Sequence, residues 1–279
     1  MIRGFRGVLC LGLLLSAGAA WGQPQGNLQQ KCINKINKDM IKLHAAQGKL
    51  DAGCVKDAVK TGSDAEVCIA ADAKGKVSAK EDKTVSDEMK KCLGLMPAPA
   101  FAYTSAAIAN GAAEEAEEDL IHDVFGSPSI NPGLLLCDTN PAECLCQRQV
   151  IDRVEKLFRA MSALFVKCKN QALAIGHAPF LSGAASASDI AECVTNGLIG
   201  LSVQADTKQK VADAISQMEA TRANFCTVGG EFNAGVCPGS GSGVTDCLAK
   251  RTKCRFCEMV NAGDALTIDC SMWSGTTCP

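Results

Sequence analysis

The chain predicts an all-α fold: two tandem antiparallel helical-hairpin modules stapled by disulfides, followed by a small cysteine-rich C-terminal segment. One stretch recurs, since Cys32 to Gly62 reappears as Cys146 to Gly176, with the second cysteine (Cys54 or Cys168) 22 residues after the first and the glycine eight residues later. Between the cysteines, Ile36, Met40, Leu43 and Leu50 match Val150, Val154, Leu157 and Leu164, the three-four spacing of one helix face. Alternating strand patterns are almost absent. One tyrosine, two tryptophans and nine phenylalanines are few for a core in 279 residues, so disulfides worth about 2 to 4 kcal/mol each are expected to replace part of the usual aromatic burial.

Residues 1–22 read as a signal peptide. Arg3 and Arg6 supply the positive end, Gly7 to Ala20 is an apolar run too short to span a bilayer, and Ala20-Trp21-Gly22 offers small residues for cleavage. The expectation is a secreted or periplasmic product without a stable membrane anchor. Removing Cys10 leaves 16 of the 17 cysteines, an even number in an oxidising compartment.

Residues 23–136 form the first module, a hairpin with an acidic helix and a linker. A helix from Cys32 to Cys54 would run roughly 33 Å and one from Cys68 to Cys92 roughly 36 Å. Laid antiparallel, they bring Cys54 to Cys68 near the turn and Cys32 to Cys92 at the open end. Pairing Cys32 with Cys54 would need the helix between them to fold back. Gly48 and Gly53 weaken that helix by about 1 kcal/mol each and invite a kink. Residues 27–92 carry 13 Lys and Arg against ten Asp and Glu, but the acids are interleaved and no aromatics stand ready to stack on bases. A solvated face is expected, and no nucleic-acid partner.

Residues 93–136 contain no Lys or Arg. After Pro97 and Pro99 a helix is expected from about Ser105 to Phe125, stopped by Gly126-Ser127-Pro128. Its acids, Glu114, Glu115, Glu117, Glu118, Asp119 and Asp123, lack the alternating ligands and turn glycine of a calcium loop, so they read as a solvated face. The three histidines, His44, His122 and His177, lie in separate segments and form no recognisable ligand pair.

Residues 137–228 form the second module. Ala71-Asp72-Ala73-Lys74-Gly75-Lys76-Val77 resembles Ala205-Asp206-Thr207-Lys208-Gln209-Lys210-Val211, each valine standing 15 residues before a cysteine, Cys92 or Cys226. The offset between copies grows from 114 to 134, which places an insert around His177 to Gly200. By analogy Cys146 is expected to pair with Cys226 and Cys168 with Cys193, although Ser202 occupies the place of Cys68. Cys137, Cys144 and Cys146 suggest zinc less than disulfides, as no histidine lies nearby.

Residues 229–279 are the cysteine-rich segment, opening on a flexible Gly-Ser stretch, Pro238 to Gly243, with Cys237 just before it. Cys247, Cys254, Cys257 and Cys270 fall opposite Phe101, Ile108, Gly111 and Val124 of the first module. Their joint absence there would be explained if the four bond with one another; Cys278 follows, and the pairing of these cysteines and of Cys137 and Cys144 stays open. Cys254-Arg255-Phe256-Cys257 is the one Cys-x-x-Cys. Glu258 stands where haem attachment needs histidine, and an all-helical setting speaks for a structural rather than a redox-active pair.

Gln30-Lys31-Cys32, Cys54-Val55-Lys56-Asp57-Ala58-Val59, the Asp72-Ala73-Lys74 segment ending at Lys90-Lys91-Cys92, and Cys254-x-x-Cys257 leading through Asn261-Ala262-Gly263-Asp264 to Asp269-Cys270 make a recognisable combination. In it the chain resembles exported cysteine-rich helical-repeat proteins of deltaproteobacteria and related bacteria. The resemblance covers nearly the whole mature chain and carries over no catalytic residue. The chain departs from the pattern where its first module lacks the tail cysteines.

Hydrolase motifs and a phosphate-binding glycine loop are missing. The sequence therefore points to a secreted or periplasmic structural or interaction protein, partnered by another cell-surface or extracellular protein, with no catalytic, cofactor or metal residues assigned. One alternative is a helical binder of lipid or another apolar ligand; a second is a thiol-disulfide exchanger using Cys254 and Cys257.

Overall fold

The computed structural model describes residues 24–176, 181–195, 202–226, 229–239 and 241–274. Among these the fold is all α, with no strand. Residues 1–22, expected to be a signal peptide, and His177, Gly200 and Cys278 lie outside the described residues.

The first helix, α1 (Asn27–Thr61), runs unbroken through Gly48 and Gly53 and ends at Gly62, whose φ of 72° suits a residue without a Cβ. Its buried face is Cys32, Ile33, Ile36, Met40, Leu43, Cys54, Val55 and Val59, as the three-four spacing requires. The return arm differs from the continuous helix expected between Cys68 and Cys92. It is α2 (Ala65–Ala71), a turn, and α3 (Ser78–Lys91). Asp72 makes the break: it adopts a left-handed φ of 33°, and its Oδ2 accepts from the amides of Val77 and Ser78 at 3.0 Å each. Those amides open α3 and would otherwise lack partners.

The α4 helix (Ala106–Phe125) is capped by Ser105, whose Oγ accepts from the Ile108 amide. Ala109, Ala112, Ala113 and Ala116 are buried on it, and such small side chains let α4 approach its neighbours closely. The second half begins with α5 (Pro141–Leu173), followed by the short α6 (Ala187–Ala191) and then α7 (Lys210–Phe225). In front of α7, Asp206 has a φ of 38° and its Oδ2 accepts from the Val211 and Ala212 amides, the same geometry as Asp72.

The Gly-Ser stretch expected to be flexible instead leads into a long helix, α8 (Ser242–Asp264), which already includes Ser242 and Gly243. Leu248, Phe256, Met259 and Val260 bury its inner face, so the C-terminal segment contributes a core helix. A last turn, α9 (Ser271–Ser274), follows. Helix α1 packs on α3, α4 and α5; α5 packs on α7, α8 and α1; and α4 lies along α8. One continuous core of buried apolar residues joins the two halves. A buried ion pair, Lys169 Nζ to Asp264 Oδ1 at 2.6 Å, ties α5 to α8, and the Asn37 amide reaches the same carboxylate from α1.

Candidate functional site

Seven disulfides are described. Cys32 joins Cys92 and Cys54 joins Cys68, at the open and turn ends of the first hairpin. Cys146 joins Cys226 and Cys168 joins Cys193 in the second. The outer staples have Cα separations of 5.0 and 4.9 Å and the inner ones 5.6 and 5.5 Å. Cys137 pairs with Cys144, Cys237 with Cys247, and Cys257 with Cys270. The suggestion that Cys247, Cys254, Cys257 and Cys270 bond with one another holds for Cys257 with Cys270 but not for Cys247, which pairs with Cys237 in the preceding loop. Cys254 and Cys257 are not joined to each other either. Both are disulfide-bonded and buried on the inner face of α8, which turns the Cys-x-x-Cys away from a redox pair and from solvent. Disulfides at this density belong to an oxidising compartment. No helix among the described residues is long and apolar enough to cross a membrane.

The most unusual chemistry lies between α1, α4 and α5, where no ligand was expected. His44 and Asp51 project from the inner face of α1, Glu117 from α4 and Glu155 from α5, and each of the four residues is only 1% exposed. The ring nitrogen Nε2 of His44 stands 3.1 Å from Glu117 Oε2. One ligand atom each from His44, Glu117 and Glu155 fall within 4.8 Å of one another. Neither Glu117 oxygen, neither Glu155 oxygen nor His44 Nε2 has a hydrogen-bond partner of acceptable geometry. Asp51 Oδ1 accepts from the Gln47 amide at 2.7 Å.

Neighbouring residues hold the group in place. Phe158 stacks on the His44 ring, with centroids 3.5 Å apart and planes 15° apart, which fixes the imidazole plane. Gly48, one turn after His44, leaves the space that the Glu155 carboxylate fills; a Cβ there would collide with it. Arg159, one turn along α5, is 4.0 Å from Glu155 Oε2 and is the nearest cation in ion-pair contact with the cluster.

Burial, then the Arg159 charge, pushes the His44 imidazole down to about 3, so its ring is neutral. Burial raises Glu155 to about 6 and Asp51 to about 7, the Gln47 hydrogen bond opposing the latter and the Glu155 charge adding to it. Glu117 is raised well above the usual carboxylate range by burial and by the charges of Glu155 and Asp51. A neutral imidazole surrounded by carboxyl groups that cannot all ionise together can share protons or hold a cation.

Two clefts border the cluster, each including one of its carboxylates. One of about 720 Å³ is lined by Asp51, Glu66, Asp72, Glu81, Glu114 and Glu118 above an apolar floor that includes Ile69 and Ile121, with no Lys or Arg. The other, of about 310 Å³, has Glu155 in its wall beside Lys49, Lys56, Arg148 and Arg159. Comparison with protein families, with curated proteins and with solved structures gave no match.

Sequence reading placed Glu117 and Asp123 on a solvated acidic face. Both are instead buried, Glu117 in the cluster and Asp123 paired with Arg255 of α8 at 2.8 Å, while Glu115 and Glu118 of the same helix are exposed. Glu155 carried no signal at all. The one available hint was Gly48, a helix-weakening residue placed four after His44 and three before Asp51.

Proposed function

We propose that the chain is exported and serves as a disulfide-stapled structural and interaction component of the periplasm or cell exterior, without identifiable catalytic activity. The observation that carries this reading is the double stapling: α1 and α5 are each tied, near both ends, to the chain that follows them. Such staples protect a fold that must survive outside the reducing cytoplasm. Support for a protein partner comes from α3 and the residues after it, where Val85, Met89, Leu93 and Met96 are exposed apolar side chains, Met89 being 64% and Met96 92% exposed. The lipid-binder alternative finds less support, since the large cleft is open and ringed by carboxylates. The exchange alternative finds none in the buried Cys254 and Cys257.

The test is fractionation of cells expressing the full chain, followed by non-reducing peptide mass spectrometry. Recovery outside the cytoplasm with Cys32 to Cys92 and Cys146 to Cys226 bridged supports the proposal. A cytoplasmic product with free thiols sinks it.

A further inference from the structure

The polar atoms buried between α1, α4 and α5 pose an energetic question. Buried carboxylates without hydrogen bonds are costly, and three facing one another repel as well. Loss of solvent contact for a group with no partner costs about 1 to 3 kcal/mol, more when it is charged. Glu117 and Glu155 each leave both oxygens unpartnered, and His44 Nε2 is unpartnered beside them. Protons alone would neutralise the carboxyl groups. They would leave unexplained why an imidazole, held by Phe158, and a carboxylate, admitted only because residue 48 is glycine, converge on one point.

We propose that His44, Glu117 and Glu155, with Asp51 beside them, bind one divalent first-row transition-metal ion such as Zn²⁺ or Mn²⁺. One nitrogen and several carboxylate oxygens suit these ions; the imidazole argues against Ca²⁺ or Mg²⁺, which prefer all-oxygen cages, and the described cysteines are occupied in disulfides. The spacing fits. Metal bonds of about 2.1 Å place the ligands of one ion roughly 3.4 Å apart in a tetrahedron and roughly 4.2 Å apart across an octahedron. The present ligand atoms lie 3.1 Å apart for His44 and Glu117, and all three within 4.8 Å, so a small inward turn of Glu155 closes the set. Two charges on the ion offset most of the carboxylate charge. The acid-lined cleft has Asp51 in its wall, and its carboxylates would draw a cation towards the cluster. The stapled scaffold would thereby hold a fixed metal ion at the junction of its two halves, a property beyond the structural role proposed above.

The decisive experiment titrates the oxidised full chain, stripped with chelator, with Zn²⁺ and with Mn²⁺ by calorimetry, and follows Co²⁺ binding by visible absorption. Wild type is expected to take one equivalent, unfold at higher temperature with Zn²⁺, and give Co²⁺ d–d bands without a thiolate charge-transfer band. Glu117→Gln and His44→Phe, each near-isosteric, are expected to keep the helical spectrum and to weaken binding by more than the roughly 10- to 100-fold seen for loss of a supporting hydrogen bond. If one variant fails to fold, the other carries the test. The proposal is overturned if wild type takes up no ion, if both folded variants bind as wild type does, or if a thiolate band appears. Proton sharing alone would show as a Glu117→Gln protein that is more stable than a wild type indifferent to metal.

Discussion

The inner faces of α1 and α5 are spaced alike and lie 114 residues apart in sequence, yet where α5 carries Phe158 and Phe165, α1 carries His44 and Asp51. All four side chains are buried. In the second half the two phenylalanines pack edge-on against Phe256 of α8. The first half has no such aromatic filling at these positions; two carboxylates, Glu117 from its own α4 and Glu155 from the other half, converge there instead. The frame of cysteines and apolar positions is common to both halves, and the filling differs. The polar interior of one half thus rests against an aromatic wall of the other: Phe158 is at once a core residue of α5 and the face on which His44 stacks.

If the frame is common, the staples should weigh similarly in the two halves. Cys32 to Cys92 closes a separation of 60 residues and Cys146 to Cys226 one of 80, whereas Cys54 to Cys68 closes 14 and Cys168 to Cys193 closes 25. Loop-closure entropy then gives about 4 kcal/mol for each outer staple and about 3 for each inner one. Paired Cys→Ser variants, unfolded in urea, are expected to follow that order in both halves. A first-half outer staple worth under about 1 kcal/mol would break the comparison.

Gly48 sharpens it from the other side. Helix propensity alone makes Gly48→Ala stabilising by about 1 kcal/mol. The added methyl, however, meets the buried Glu155 carboxylate, and overpacking costs about 1 to 3 kcal/mol. Net destabilisation is expected from Gly48→Ala. At Gly53 a Cβ meets nothing, so Gly53→Ala should be stabilising. Urea midpoints of the two variants moving in the same direction would show that the Glu155 contact has no weight.

Much of the frame was legible in the sequence, because it is written in periodic features. Apolar residues at three-four spacing gave α1 and α5, Ser105 and Gly126 bracketed α4, and cysteines at matched helix depths gave the staple geometry. The interruption between α2 and α3 was not read, although the repeated Ala-Asp-x-Lys-x-Lys-Val segment announced it. That segment looks helical by composition, and only the aspartate's capacity to bond amides five and six residues ahead makes it a break. The cluster was less legible still. A carboxylate on a helix reads as solvated unless one knows which neighbour faces it, and Glu117 and Glu155 meet through contacts of α1 with α4 and with α5 that no local pattern encodes.

The Asp72 and Asp206 turns give a smaller measurement of likeness. Each Oδ2 accepts from two amides, with distances between 2.8 and 3.0 Å. Asp72→Ala and Asp206→Ala are each expected to cost about 1 kcal/mol, the usual worth of a capping side chain. Costs in urea unfolding that differ by more than about 1 kcal/mol would mean that the turns, alike in geometry, are unlike in strain or in what they support.

The smallest expected effect is confined to the second half. Glu219 of α7 accepts from Arg222 Nη2 at 2.6 Å and from Thr245 Oγ1 of α8 at 2.5 Å. The Arg222 hydrogen bond, opposed by partial burial and aided by Thr245, draws its carboxyl down to about 2. A carboxyl depressed in the folded state contributes stability that is fully present above its unfolded value, about 4.3, and that fades as pH falls towards 2. Solvent screening keeps this contribution below about 1 kcal/mol. Glu219→Gln should therefore lower stability slightly at pH 7 and match wild type only below about pH 2, the gap closing from about pH 5 down through the folded value. A gap that stayed constant with pH would assign the effect to the lost Thr245 geometry rather than to charge, and the link between α7 and α8 would then be one of packing alone.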